Sequence, residues 1–237
     1  MARILSIETS TAVLSVALSE DRTVVSERVC TEARQQAALT APLVKEVLDE
    51  AGLAIRDCDA VCVSAGPGSY TGLRVGVSTA KGLAFGAHIP LLAVGTLDIL
   101  AEGARCPVGA GHDVIADSDR LSFIVPMIDA RRMEVYTAVY SAAGERLTPV
   151  EAKIIGPESF AGYLDRGEVL FVGDGALKCK DVITHPNARF REASPLARHM
   201  APLALDAFLA GKFQDVAYFE PFYLKDFVAT VSQKQLW

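Results

Sequence analysis

The sequence predicts an α/β fold made of two successive units that share one order of elements. Short apolar runs bounded by turn residues, typical of strands, alternate with longer segments whose apolar residues recur at helical spacing. The order of hairpin, third strand, helix, strand and loop occurs twice, which indicates an internal duplication. The chain has 237 residues, 51% of them apolar, enough for one large or two small domains with buried cores.

The first unit begins with three strands, followed by a helix. The helix is predicted over residues 33–51, because Leu39, Leu43 and Val47 recur every four residues and Gly52 provides a C-terminal cap. Pro42 lies inside this pattern and predicts a kink or a break. The strands are predicted at residues 4–7, 13–18 and 23–29, with polar turns at 8–11 and 21–22.

A glycine-rich loop follows the next predicted strand, residues 60–63, and opens a helix over 72–85. Gly66, Gly68 and Gly72 lie within seven residues. A glycine loop at a helix N-terminus can hold an anion on free N–H groups. The alternative is a tight turn with close helix packing, since one side of the helix carries almost no bulk. The spacing matches neither Gly-x-Gly-x-x-Gly nor a P-loop. A strand at 91–94 and a helix at 97–104 complete the unit.

The polar, irregular stretch 105–120 is the predicted boundary between a domain of residues 1–104 and one of residues 105–237. Beyond it the element order begins again. Strands are predicted at residues 122–128, 134–140, 151–155 and 169–172, and helices at 157–164 and 195–209.

Composition excludes several classes of protein. A net charge of −6 argues against a free-standing nucleic-acid binder. No apolar run approaches the ~18 residues of a membrane span, and no signal peptide is recognisable at the N-terminus. The five cysteines form no Cys-x-x-Cys pair, which favours free thiols in a reducing cytoplasm.

Residues for familiar hydrolytic chemistry are missing from the sequence. There is no His-Glu-x-x-His motif and no nucleophile elbow, so protease chemistry lacks its groups. The charged residues between Asp129 and Glu134 can form a phosphate-binding group or a hairpin turn with surface ion pairs. Asp174, between two glycines, is a metal or nucleotide contact or a turn-forming residue.

The glycine loop also carries a resemblance to a known family. Residues 66–76, Gly-Pro-Gly-Ser-Tyr-Thr-Gly-Leu-Arg-Val-Gly, closely resemble the signature of the TsaB family, also called YeaZ, and less closely the matching loop of the paralogous TsaD family. Residues 4–18, 128–136, 173–175 and 220–224 are also similar to TsaB. The resemblance therefore covers nearly the whole chain.

The resemblance implies the fold of the actin, Hsp70 and sugar kinase superfamily. This fold has two tandem ribonuclease H-like domains with mixed five-stranded sheets, and the length of this chain implies that the second domain is reduced. In the superfamily, ATP lies between the domains, so weak phosphate binding is the implied role of several residues. These are Glu8, Thr9, Ser10, Gly66, Gly68, Ser69 and Gly72.

The resemblance further implies a non-catalytic partner of TsaD. Thr96 and Leu100 stand where TsaD proteins carry a metal-binding histidine pair, and they cannot replace two imidazoles. The family pairs with TsaD and with the ATPase TsaE to modify tRNA, so ATP and metal are expected on the partners, with none bound by this chain. A homodimer is expected when TsaD is absent. The expected interface comprises Gln36, Leu39, Leu43, Gly72, Arg74, Gly76, Thr79 and Ala80.

Two other functions stay open. An ATP-using phosphotransferase or ATPase is favoured by the retained loops and opposed by the short second domain. A metalloprotease is a weaker alternative, because the sequence supplies no ligand set for it.

Overall fold

The computed structural model describes residues 1–105 and 121–225. Its first sheet has five strands: β1 (Arg3–Glu8), β2 (Leu14–Glu20), β3 (Thr23–Cys30), β4 (Ala60–Ser64) and β5 (Leu91–Val94). Their order across the sheet is β3, β2, β1, β4, β5. The β1–β2 and β2–β3 pairs are antiparallel, and the β1–β4 and β4–β5 pairs are parallel.

Three helices belong to the first unit: α1 (Gln36–Ala51), α2 (Tyr70–Ala87) and α3 (Thr96–Arg105). The α1 helix ends at Gly52, whose φ of 68° is left-handed and suits glycine. The α2 helix begins after Ser69, whose hydroxyl accepts the Gly72 N–H at 3.3 Å.

The predicted break at Pro42 is wrong, because α1 continues through it. Pro42 faces solvent beside the buried Leu43, and packing of the buried side holds the helix together.

The second sheet repeats the first. Its strands are β6 (Leu121–Asp129), β7 (Glu134–Thr137), β8 (Tyr140–Ser141), β9 (Glu151–Ile154), β10 (Glu168–Val172) and β11 (Ala188–Arg191). β7 and β8 pair with successive parts of β6, so they share one position. The order across the second sheet is therefore β9, β7 with β8, β6, β10, β11, which matches β3, β2, β1, β4, β5 of the first sheet. As in the first sheet, the β9–β7 and β7–β6 pairs are antiparallel, and the β6–β10 and β10–β11 pairs are parallel.

The repeated order confirms two related units with mixed five-stranded sheets. The second unit is reduced in its helices: α4 (Ala161–Leu164) has 4 residues where α1 has 16. A 3₁₀ turn (Leu177–Cys179) stands where the first unit has the 18-residue α2. The predicted boundary near residue 105 stays a prediction, because residues 106–120 lie outside the described chain.

Two predictions about the second unit need correction. The helix expected over 157–164 is helical only in its last four residues, because Phe160 takes a left-handed φ of 65°. The helix expected over 195–209 is a 3₁₀ turn (Ala197–His199) followed by α5 (Met200–Leu209). β11 was not predicted at all.

Helices of each unit also pack on the other unit. α1 and α2 cover one face of the first sheet. The opposite face is covered by α5, which comes from the second half, where Met200 and Ala204 pack with Ile4. Leu100 of α3 packs with Ile124 of β6. The two units are therefore interlocked, and the carboxyl ends of their parallel strands face one cleft. Within the described residues, no helix has the length and apolar character needed to span a membrane.

Candidate functional site

A cleft of about 1010 Å³ lies where the carboxyl ends of β1, β4, β6 and β10 come together. Ligands of open α/β sheets bind at such edges. The first sheet contributes the turn after β1 and the glycine loop after β4. The second sheet contributes Asp129 to Arg131 after β6 and Asp174 after β10.

The turn after β1 is buried and bonded to the glycine loop. Glu8, Thr9 and Ser10 have no exposed surface. Glu8 Oε1 accepts the Ser10 N–H at 2.5 Å, and the Ser10 carbonyl accepts the Ser69 N–H at 2.7 Å. Burial disfavours the charged carboxylate and raises the pKa of Glu8 to about 7, against the contacts with Ser10 that lower it.

The glycines of α2 allow that turn to approach the helix. A Cβ at Gly72 would collide with the Thr9 carbonyl oxygen, and one at Gly76 would collide with the Thr9 hydroxyl. At Gly68 the obstacle would be the Ser10 carbonyl oxygen. The absence of side chains at these positions is therefore required for packing within the chain.

This packing corrects the expected docking surface. Gly72, Gly76 and Ala80 are buried in the chain itself, so they do not form an exposed stripe on α2. Leu43 is buried in the same core, and Leu39 packs against it. The four buried residues are therefore unavailable to a partner in the folded chain, and Leu39 is only partly accessible.

The remaining expected interface residues differ in accessibility. Gln36 is half-buried, and its side-chain amide donates to the Thr11 carbonyl at 2.9 Å. Thr79 is half-buried. Arg74 is exposed and lies over the ring of Tyr70, 4.3 Å from its centroid. Of the eight predicted positions, Arg74 is the most accessible.

The expected phosphate-binding residues separate into two groups. Those that line the cleft are Ser10, Gly68, Ser69 and Gly72. Glu8 and Thr9 lie beneath the cleft and support it without lining it, and Gly66 lines a neighbouring cavity of about 440 Å³. Among the described residues, the hydroxyls of the buried Ser10 and Thr11, which both line the cleft, have no hydrogen-bond partner.

The second-sheet side of the cleft is a turn held by ion pairs and backbone bonds. Asp174 Oδ1 accepts the Asp129 N–H at 2.9 Å, and Asp129 Oδ1 accepts the Arg131 N–H at 2.8 Å. Lys178 bonds Asp129 at 2.5 Å and the Glu134 carbonyl at 2.7 Å. These contacts favour the turn-forming interpretation of both acidic residues. In the described part of the chain, no cluster of three or more His, Cys, Asp or Glu side chains is placed to hold a metal.

The outward side of α1 and α2 is a feature that the sequence analysis missed. Both helices pack on one face of the first sheet, so their other sides face solvent together. A Cβ at Gly82 would meet nothing within 4 Å, and Phe85 is 72% exposed. We call this surface the outer helix face; its exposed members are Ala38, Ala41, Pro42, Ser78, Gly82 and Phe85. The small residues of this face recur at helical spacing, and this pattern is the sequence signal from which the face could have been predicted.

Comparisons with known proteins agree with the sequence resemblance. The family model for TsaD, tRNA N6-adenosine threonylcarbamoyltransferase, matches residues 24–232. The tRNA threonylcarbamoyladenosine biosynthesis protein TsaB of Escherichia coli K12 is 34% identical, over 96% of each chain. The protein of the same name from Haemophilus influenzae is 30% identical, over 94% of this chain and 93% of its own. The solved structure of YeaZ from Pseudomonas aeruginosa is 30% identical and superposes with a TM-score of 0.77, covering 94% of this chain and 100% of that one.

The contact between Thr9 and α2 predicts opposite results for two glycines of one helix. Gly76→Leu should lower the free energy of unfolding by at least about 1–3 kcal/mol, because the new side chain overpacks a closed contact. Gly82→Leu should leave stability unchanged or raise it by up to about 1 kcal/mol through helix propensity. Urea unfolding measures both. Equal stability of the two variants would contradict the packing role.

The burial of Glu8 predicts a dependence of stability on pH. The folded pKa, about 7, lies above the ordinary 4.5, so the native chain binds more protons than the unfolded chain between these values. Stability from this group is therefore lost as pH rises from 4.5 through 7. Glu8→Gln keeps an acceptor for Ser10 and carries no charge. As the pH rises from acidic to mildly alkaline, the free energy of unfolding of the variant should increase relative to that of the wild type by on the order of 3 kcal/mol. A difference that does not vary with pH would contradict the assignment.

Proposed function

The chain belongs to the TsaB family, and from that premise we propose that it is the non-catalytic partner of TsaD in tRNA threonylcarbamoyladenosine synthesis. In this role it joins TsaD and the ATPase TsaE. The complex adds a threonylcarbamoyl group to adenosine at position thirty-seven of tRNAs that read ANN codons. The tRNA is reached through the complex, in keeping with the net charge of −6.

One observation carries the non-catalytic assignment. By the family resemblance, Thr96 and Leu100 stand where TsaD carries its histidine pair, and they are 0% and 2% exposed. The Thr96 N–H donates to the Gly66 carbonyl at 2.9 Å, and Leu100 packs with Ile124 beneath the second sheet. Both positions are used for packing, so we propose that metal and transfer chemistry belong to TsaD. No cofactor is proposed for this chain.

The outer helix face is the proposed docking surface for TsaD. Its alanines, Gly82 and Ser78 allow the helices of a partner to approach closely, and Phe85 supplies an exposed aromatic anchor. When TsaD is absent, the same face would pair with a second copy in an isologous dimer. We also propose a cytoplasmic location, supported by the free thiols of Cys30, Cys58, Cys62 and Cys179.

An ATP-binding phosphotransferase or ATPase is the second candidate. It is favoured by the cleft, which Ser10, Gly68 and Ser69 line at the N-terminus of the 18-residue α2. The short helices of the second unit weigh against it. Calorimetric titration with ATP distinguishes the two: a sub-micromolar dissociation constant favours the ATPase.

Reconstitution tests the proposed function directly. TsaD and TsaE from the same source are supplied with threonylcarbamoyl-adenylate, ATP and unmodified tRNA, with and without this chain. Modified nucleoside should form only when the chain is present, and the chain alone should form none. Full modification without the chain, or modification by the chain alone, would overturn the proposal.

Docking on the outer helix face predicts a separation of binding from folding. Gly82→Leu should weaken pairing with TsaD at least tenfold, because the new side chain holds the partner helices apart, while urea unfolding stays unchanged. Gly162→Leu is the matched control, since Gly162 is an exposed helical glycine of α4 with nothing within 4 Å of its Cβ position. Titration by interferometry measures the affinity of each variant for TsaD. Unchanged binding by a folded Gly82→Leu variant would exclude this face.

A further inference from the structure

After α5 the chain returns along the first sheet to the glycine loop. The Gln214 N–H donates to the carbonyl of Leu91, the first residue of β5, at 2.8 Å. Further on, the Phe222 N–H donates to the Ala65 carbonyl at 2.7 Å. We call residues 214–225 the strap. It contains no helix or regular strand and is held in place by a small set of contacts.

Lys81 of α2 holds the middle of the strap. Its ammonium group donates to the Ala217 carbonyl at 3.1 Å and to the Phe219 carbonyl at 3.0 Å. Both acceptors are backbone carbonyls. This contact, which we call the latch, therefore depends on the long cationic side chain of Lys81 more than on the identity of the strap residues. Hydrogen bonds from a charged donor are stronger than those between neutral groups.

The end of the strap covers the glycine loop. A Cβ at Gly66 would lie 2.6 Å from the Phe222 carbonyl oxygen, so the loop and the strap are in direct contact. The ring of Tyr223 packs on Tyr70, with centroids 4.9 Å apart. Phe222 and Pro67 line both the 1010 Å³ cleft and the 440 Å³ cavity. The strap is therefore a wall between the two spaces.

The strap has the features of a segment that opens locally. Its side chains are largely solvated: Tyr218 is 83% exposed and Phe222 is 47% exposed. Val216 and Phe219 pack half-buried against the core. At the far end, Lys225 pairs with Glu134 of β7, so the strap also crosses from the first unit to the second. Segments with few buried apolar contacts open at a lower free energy than the core.

We propose that the strap is a releasable cover of the glycine loop, latched by Lys81. When the latch is closed, Gly66 and Pro67 are covered and the cleft is divided in two. When it opens, the loop is exposed and the two cavities become one continuous space. The latch residue lies on α2, so movement of that helix changes the strength of the latch.

Amide hydrogen exchange with Lys81→Met tests the latch, because methionine keeps the length of the side chain and removes the donor. Exchange in the strap, including the Phe222 amide that donates to Ala65, and at the Gly66 amide of the loop should rise together by roughly tenfold. β1 and β4 should stay protected over the same period. Lys45→Met is the matched control: Lys45 is an exposed helical lysine that pairs with Asp49 of its own helix. Lys81→Arg should retain protection, since it keeps donors.

Two results would overturn the proposal. Unchanged exchange of the strap in Lys81→Met would show that Lys81 does not hold the strap. Faster exchange of the strap with unchanged exchange of the glycine loop would show that the strap does not cover the loop. Tyr223→Ala provides an independent route if Lys81→Met does not fold. It removes the packing on Tyr70 and should raise exchange in both segments, and a rise in neither would equally contradict the proposal.

Discussion

The contact of Thr9 with the glycines of α2 is the constraint on which the rest of the structure depends. It brings the turn after β1 against the first turns of a helix, at a distance that no side chain would allow. Because the Ser10 carbonyl also accepts the Ser69 N–H, the turn and the glycine loop form one floor beneath the cleft. A motif that resembles a ligand-binding loop thus serves first as a packing motif, and the outward side of α2 stays exposed.

The two units of the duplicated fold differ in the helices that cover their sheets. Both units keep the same five-position sheet, but within residues 1–105 and 121–225 only the first has long helices over its sheet. In the part of the second unit that the structure describes, the four-residue α4 and the 3₁₀ turn Leu177–Cys179 stand at the positions of α1 and α2. α3 and α5 compensate by packing across the units, and the Ala197 N–H donates to the buried Ser15 hydroxyl at 2.8 Å. The two sheets that frame the cleft are therefore held together by packing between the units.

Much of the fold follows from the sequence, and the exceptions have physical causes. β5 is predicted residue for residue, and β1 to β4 within two residues, because their apolar runs are bounded by clear turns. β11 was missed because Arg189 and Arg191 interrupt its four residues at a sheet edge. The periodicity of α2 shows two small-residue sides, Gly72 with Gly76 and Ser78 with Gly82, and nothing local says which is buried. That choice depends on Thr9, far away in the chain. The strap is likewise invisible to local patterns, since its anchors are backbone carbonyls.

The structure of this chain bound to TsaD tests the central claim most directly. The account predicts that Gly82 and Phe85 lie in the interface while Gly76 stays covered by Thr9, as in the free chain. A complex in which the turn after β1 has moved away and the partner contacts Gly76 would contradict it. An interface formed elsewhere on the first unit, with Phe85 still exposed to solvent, would contradict it as well.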